Sequence, residues 1–129
     1  GDVLLGEESR LLLNATKGTA QEASCAVRLF HGAAFPAHID RGSFSLLASL
    51  GSIPPEAEFR AAEITASGDV EKLLQMYPEL RDMILLLDSD AHYLENMQDP
   101  GPWLDLPENT AACLIDALNG TIKATWGRT

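Results

Sequence analysis

Apolar positions along the chain fall into short blocks whose period changes several times. Residues 1–18 hold no sustained period and are punctuated by Gly6, Asn14 and Gly18. An irregular lead-in is expected there, with Leu11, Leu12 and Leu13 packed on the core. Thr19 and Glu22 then form a T-x-x-E pair, which marks a helix start because each side chain can satisfy the other residue's backbone N–H. Ala23, Ala26, Val27 and Phe30 follow at helical spacing, with Gly32 as the stop. Residues 33–39 are apolar without alternation, as in a strand covered on both faces. Pro36 removes one ladder donor and so places that strand near an edge or a bulge.

A short helix is expected over 43–50, ended by Gly51, and Pro54-Pro55 marks a loop. Residues 61–66 read as a strand, and Asp69 caps a helix running to about Met76. Residues 83–87 are the most apolar strand in the chain and lead straight into Asp88-Ser89-Asp90-Ala91-His92. Beyond Pro100, Gly101 and Pro102, residues 103–106 form a short strand. Ala111, Leu114, Ile115 and Leu118 make a last helical stripe, capped near Asn109 and stopped by Gly120, and residues 121–126 close the chain as a strand. Strands alternating with helices predict an α/β fold with parallel strands. No repeat or internal domain boundary interrupts the pattern.

Length and composition narrow the classes. A chain of 129 residues suffices for one domain with a real core. No apolar run approaches the roughly 20 residues of a membrane span, and no basic stretch precedes an apolar one as in a signal peptide; a cytoplasmic protein with no membrane partner is expected. Gly1 and Asp2 stand where an initiator methionine would, so a processed or engineered start and a longer natural protein are expected. The net charge of -10, from 19 acidic and 9 basic residues, argues against a nucleic-acid surface, which is normally basic. It leaves room for a phosphate substrate, since divalent metals reverse the local field. Cys25 and Cys113 lie in apolar helical patterns and read as buried free thiols.

In parallel α/β folds, functional groups collect at the carboxyl ends of strands. Two of the three histidines occupy such ends: His38 closes one strand, and Asp90 and His92 follow another. In extended backbone, residues two apart point the same way, so an Asp-x-His can aim a carboxylate and an imidazole at one point. That pair suits zinc, manganese or iron. The same residues also fit a turn whose aspartates cap a short helix. His31 falls at a helix C-terminus, where positive charge is favoured, and reads as structural.

Pro36-Ala37-His38-Ile39-Asp40-Arg41 resembles the third metal motif of the PHP (polymerase and histidinol phosphatase) family, and Ser89-Asp90-Ala91-His92-Tyr93 resembles its fourth, the Asp-x-His. Leu11-Leu12-Leu13-Asn14-Ala15-Thr16 and Leu50-Gly51-Ser52-Ile53-Pro54 resemble the family's flanking text, with greatest similarity to the TrpH-like bacterial branch. The resemblance implies that residues 1–129 are the C-terminal portion of a PHP domain, the later part of a distorted (β/α)7 barrel. It implies two or three divalent metal ions (Zn, Mn or Fe) that activate water for hydrolysis of a phosphoester in a nucleotide or other phosphorylated small molecule. His38, Asp90 and His92 would then be metal ligands, and Arg41 either a substrate-binding residue or a surface or helix-capping arginine. Asp40 would orient a neighbour or cap a loop, Ser89 and Asp88 would shape the turn, and Glu63 receives no role. The family's first motif, a His-x-His, and the ligands of its second have no counterpart in this sequence.

Three readings follow: a phosphoesterase fragment inactive on its own, a non-catalytic metal-binding or assembly module, and an α/β domain whose histidines serve packing. On the first, the partners are the missing N-terminal half of the barrel or a second copy of the chain, which would cover an open sheet face holding Leu85 and Leu87.

Overall fold

The computed structural model describes residues 3–10 and 16–128; the expected packing of Leu11–Leu13 lies outside them. Four helices and four strands follow in the order α1 (Ala20–Leu29), α2 (Leu46–Leu50), β1 (Ala61–Thr65), α3 (Val70–Met76), β2 (Ile84–Asp88), β3 (Pro102–Asp105), α4 (Ala111–Leu118) and β4 (Thr125–Arg128). Among the described residues the fold is mixed α/β, with one parallel and one antiparallel strand pair and no closed barrel. Among the described residues no helix is long and apolar enough to cross a membrane.

β1 and β2 pair in parallel, Ala61 opposite Ile84 through Thr65 opposite Asp88. Alternation sends Ala62, Ile64 and Leu85 to one face, where they pack with Ile39, Leu47, Ile53, Leu73 and Leu80. Ala61 and Ile84 go to the other face and meet Ala117 and Leu118 of α4. Both faces are covered, as parallel sheets require. The expected open sheet face is therefore corrected: Leu85 and Leu87 are 1% and 6% exposed.

Residues 33–39 do not form the regular strand expected. The Glu63 N–H donates to the Pro36 carbonyl and the Ile39 N–H to the Glu63 carbonyl, both at 2.9 Å. In an unbroken parallel ladder only one residue separates such a carbonyl and N–H. Here Ala37 and His38 both lie between, a bulge, and His38 takes φ +31°. The irregularity marked by Pro36 thus falls next to it, at the first candidate ligand.

The expectation of parallel strands throughout is also corrected, because β3 and β4 pair antiparallel, Pro102 opposite Arg128. A parallel crossover needs its helix laid on the sheet it connects. α4 instead buries Ala117 and Leu118 against Ala61 of β1 and Ile84 of β2, and β4 returns beside β3 in the opposite direction. Trp103 closes this pair over Gly127, where a Cβ would sit 2.7 Å from the Trp103 ring.

The capping box of α1 forms: the Glu22 carboxylate accepts the Thr19 N–H at 2.7 Å and Thr19 Oγ1 accepts the Glu22 N–H at 3.1 Å. Its expected apolar stripe is nevertheless turned outward, Phe30 being 87% exposed and Val27 36%. The helix seats through the opposite side. Ser24 is buried, and Arg28 donates to the Glu58 carbonyl at 3.2 Å and pairs with the Glu58 carboxylate at 3.1 Å. Cys25, one position from Ser24 and so about 100° around the helix, is exposed rather than buried, whereas Cys113 is buried; both thiols are free.

Candidate metal centre

The carboxyl ends of β1 and β2 and the 38–41 turn meet at one edge of the parallel sheet. Asp40 joins them. One of its carboxylate oxygens accepts the Thr65 N–H at 2.9 Å and the other accepts the Thr65 hydroxyl, which fixes the turn to the end of β1. Gly68 is confined by the same clamp, since a Cβ there would run into Ile64 and come within 2.8 Å of Asp40 Oδ2. The Arg41 N–H donates to the His38 carbonyl at 3.0 Å, so His38 sits at the start of a closed turn. A positive φ is tolerated better by histidine than by most residues.

β2 ends at Asp88, whose Oδ1 accepts the Asp90 N–H at 3.2 Å. This i to i+2 side-chain turn sets Asp90 at φ +47°. The backbone is therefore not extended there, and the alternation argument for Asp90 and His92 fails. Asp90 points inward, its side chain 17% exposed, and its Oδ2 lies 2.8 Å from Arg41 Nη2. His92 is outside, 73% exposed; its Nδ1 lies 2.8 Å from the Asp90 carbonyl and 3.9 Å from Asp90 Oδ1.

Two buried atoms here lack a hydrogen-bond partner, His38 Nδ1 and Asp90 Oδ2. Asp90 Oδ2 is within ion-pair distance of Arg41, but no guanidinium N–H is aligned with it, and hydrogen bonds weaken steeply off axis. Unsatisfied buried polar atoms are rare and costly. A ring nitrogen and a carboxylate oxygen are also the types of donor atom a divalent cation takes. The full trio is not assembled: among the described residues no three His, Cys, Asp or Glu side chains are grouped to hold a metal ion.

Glu63, the residue the sequence left without a role, belongs to this edge. Burial raises its carboxyl above the ordinary glutamate range; hydrogen bonding with Asp88 and the negative charges of Asp88 and Asp90 add to the rise, and His38 opposes it. The available signal was a lone glutamate in an apolar strand, on the face it shares with Thr65 and, by register, with Asp88.

The shift predicts a pH dependence. The folded chain holds the Glu63 proton more tightly than the unfolded chain. Its stabilising contribution is thus complete below the ordinary value of 4.5 and is lost as pH rises through the raised folded value. Urea unfolding of the parent and Glu63→Gln across that window should show the parent losing stability relative to the variant. Parallel profiles would contradict the assignment.

The chain matches no protein-family model, no curated protein and no solved structure.

Proposed function

We propose that this chain is part of a metal-dependent phosphoesterase of the PHP type, inactive by itself, in which His38 and Asp90 are metal ligands and His92 joins them once Asp90 is released from Arg41. The observation that carries the reading is the buried His38 Nδ1, which has no hydrogen-bond partner, with Asp90 Oδ2 nearby held only by the unaligned Arg41 ion pair, beside the carboxyl ends of the parallel strands. A bound zinc, manganese or iron ion would supply Lewis acidity toward a phosphoester and lower the pKa of water. The chain's own residues do the rest: Asp40 holds the turn, Asp88 fixes the Asp90 backbone, and Arg41 supplies a cation for the phosphate of a nucleotide or other small molecule. In this proposal the β1–β2 pair stands for later strands of the distorted (β/α)7 barrel, and the location is cytoplasmic.

Calorimetry with zinc and manganese on the parent and on the double variant His38→Ala, His92→Ala tests the ligand set. Binding is expected to be weak in the parent, because the family's other ligands are missing, and lost in the variant. Equal binding by both proteins would remove the assignment.

One observation bears equally on the first reading and on a second, a non-catalytic metal-binding or assembly module. The chain exposes 9601 Å², whereas a compact monomer of 13.9 kDa exposes roughly 6,700 Å². Part of the excess is the irregular 3–10 segment, every residue of which is exposed, and part is large apolar side chains elsewhere. These include Leu29 and Phe30 on α1 and Phe44, Tyr93, Leu94 and Met97 near the metal edge. Both readings therefore include a covering partner, the N-terminal half of the barrel in the intact enzyme and a second copy for this chain alone. Sedimentation at micromolar concentration is expected to show a dimer; a monomer would contradict self-association.

A further inference from the structure

A cleft of about 590 Å³ opens at the amino end of the β1–β2 pair, opposite the candidate metal edge. Arg60 stands just before β1, Arg81 lies in the turn before β2, and Lys123 lies just before β4; all three line the cleft. They are three of only nine lysines and arginines in a chain of net charge -10. Among the described residues none of the three has a carboxylate within ion-pair distance. One carboxylate, Asp82, shares the lining. Arg60 and Asp82 also border a neighbouring cleft with Glu58 and Glu79, but Glu58 is paired with Arg28 at 3.1 Å. With Glu79 counted, the cations still outnumber the carboxylates. The end of α4 adds the negative pole of its dipole, roughly half a charge, which does not reverse that sign.

We propose that this cleft binds a compact phosphate polyanion, a small molecule carrying a diphosphate group. Three features support this. The cations come from three separate elements, and the Arg60 stem is held against the end of α4, since a Cβ at Gly120 would lie 3.1 Å from Arg60 Cγ. The volume falls in the range of roughly 300–1,000 Å³ typical of small-molecule sites. Trp126, half-buried in the same lining, has an indole that can donate a hydrogen bond but accept none. The charge of the ligand follows from the exposure of the cations. One solvent-exposed ion pair contributes little, so a single negative charge gains almost nothing against the acidic chain. A ligand that meets three cations at once adds their contributions within one binding event. Guanidinium groups favour phosphate in particular, because their planar N–H forks match its oxygens.

This site does not depend on the metal reading, and its test uses metal-free buffer. Inorganic pyrophosphate is titrated into the chain at constant ionic strength, with binding followed by calorimetry and by amide NMR shifts. The parent should bind it saturably and more tightly than orthophosphate, with the largest shifts at residues 81–84 and 119–126. Arg81→Met and Lys123→Met change exposed side chains and should each weaken binding about three- to five-fold, the upper range for one exposed pair. The double variant should lose about ten- to twenty-fold if the two contributions add. Lys17→Met removes a charge outside the cleft and should bind as the parent does. The site is refuted if the parent shows no saturable binding, if the double variant binds as tightly as the parent, or if Lys17→Met loses as much as Arg81→Met. Shifts confined to residues 38–42 would also overturn it, by placing the anion at the other end of the sheet.

Discussion

Leu85→Ala should destabilise the fold by about 2–5 kcal/mol, the range for emptying a buried leucine site. Leu85 lies in the centre of β2, on the face packed by Ile39, Leu47, Ile53, Leu73 and Leu80. The loss combines the transfer energy of the deleted atoms with the cavity they leave, and two covalently distant layers would have to move to refill it. Against a total stability of roughly 5–15 kcal/mol for a domain, that removes a large part of the folded population. Leu29→Ala provides the contrast, because Leu29 is exposed on α1 and its loss should fall within about 0.5 kcal/mol. Urea unfolding followed by circular dichroism measures both. A Leu85→Ala variant as stable as the parent would mean that the two faces of the β1–β2 pair are not the core.

The second large effect concerns turnover. Phosphoryl transfer depends on positioning and on stabilising charge in the transition state, and each missing stabilising group costs about 10²–10³ in rate. If the proposed PHP reading holds, the first His-x-His and the second-motif ligands that it requires are absent from the sequence, and this chain should hydrolyse a chromogenic phosphoester several orders of magnitude more slowly than an intact enzyme, with manganese or zinc present. Metal-dependent turnover by the 129-residue chain, abolished by Asp90→Ala, would refute the fragment reading.

What could be read from the sequence followed from local physics. The Thr19–Glu22 capping box, Asp69 as a cap, Gly51 as a left-handed stop and the apolar run into β2 each depend on neighbours within a few residues. What could not be read depended on distant neighbours. The outward face of α1 is set by Ser24 and by Arg28 reaching Glu58, and the direction of β4 by α4 packing on the other strand pair. At the candidate site, the ligand-type chemistry of His38 and Asp90 was legible, but the strand end expected at His38 is a bulge and Asp90 lies in a turn past β2. Their positive φ was not, because it comes from a bulge against β1 and from a turn closed by the Asp88 side chain. Glu63 was hidden because only the parallel register brings it onto the face that ends at Asp88.

Anomalous X-ray scattering from crystals of the chain grown with zinc, measured on both sides of the zinc absorption edge, tests the metal centre most directly. The predicted result is a peak bonded to both His38 and Asp90, with the Arg41 guanidinium displaced from the carboxylate. No peak at that edge, with Arg41 still on Asp90, would contradict it.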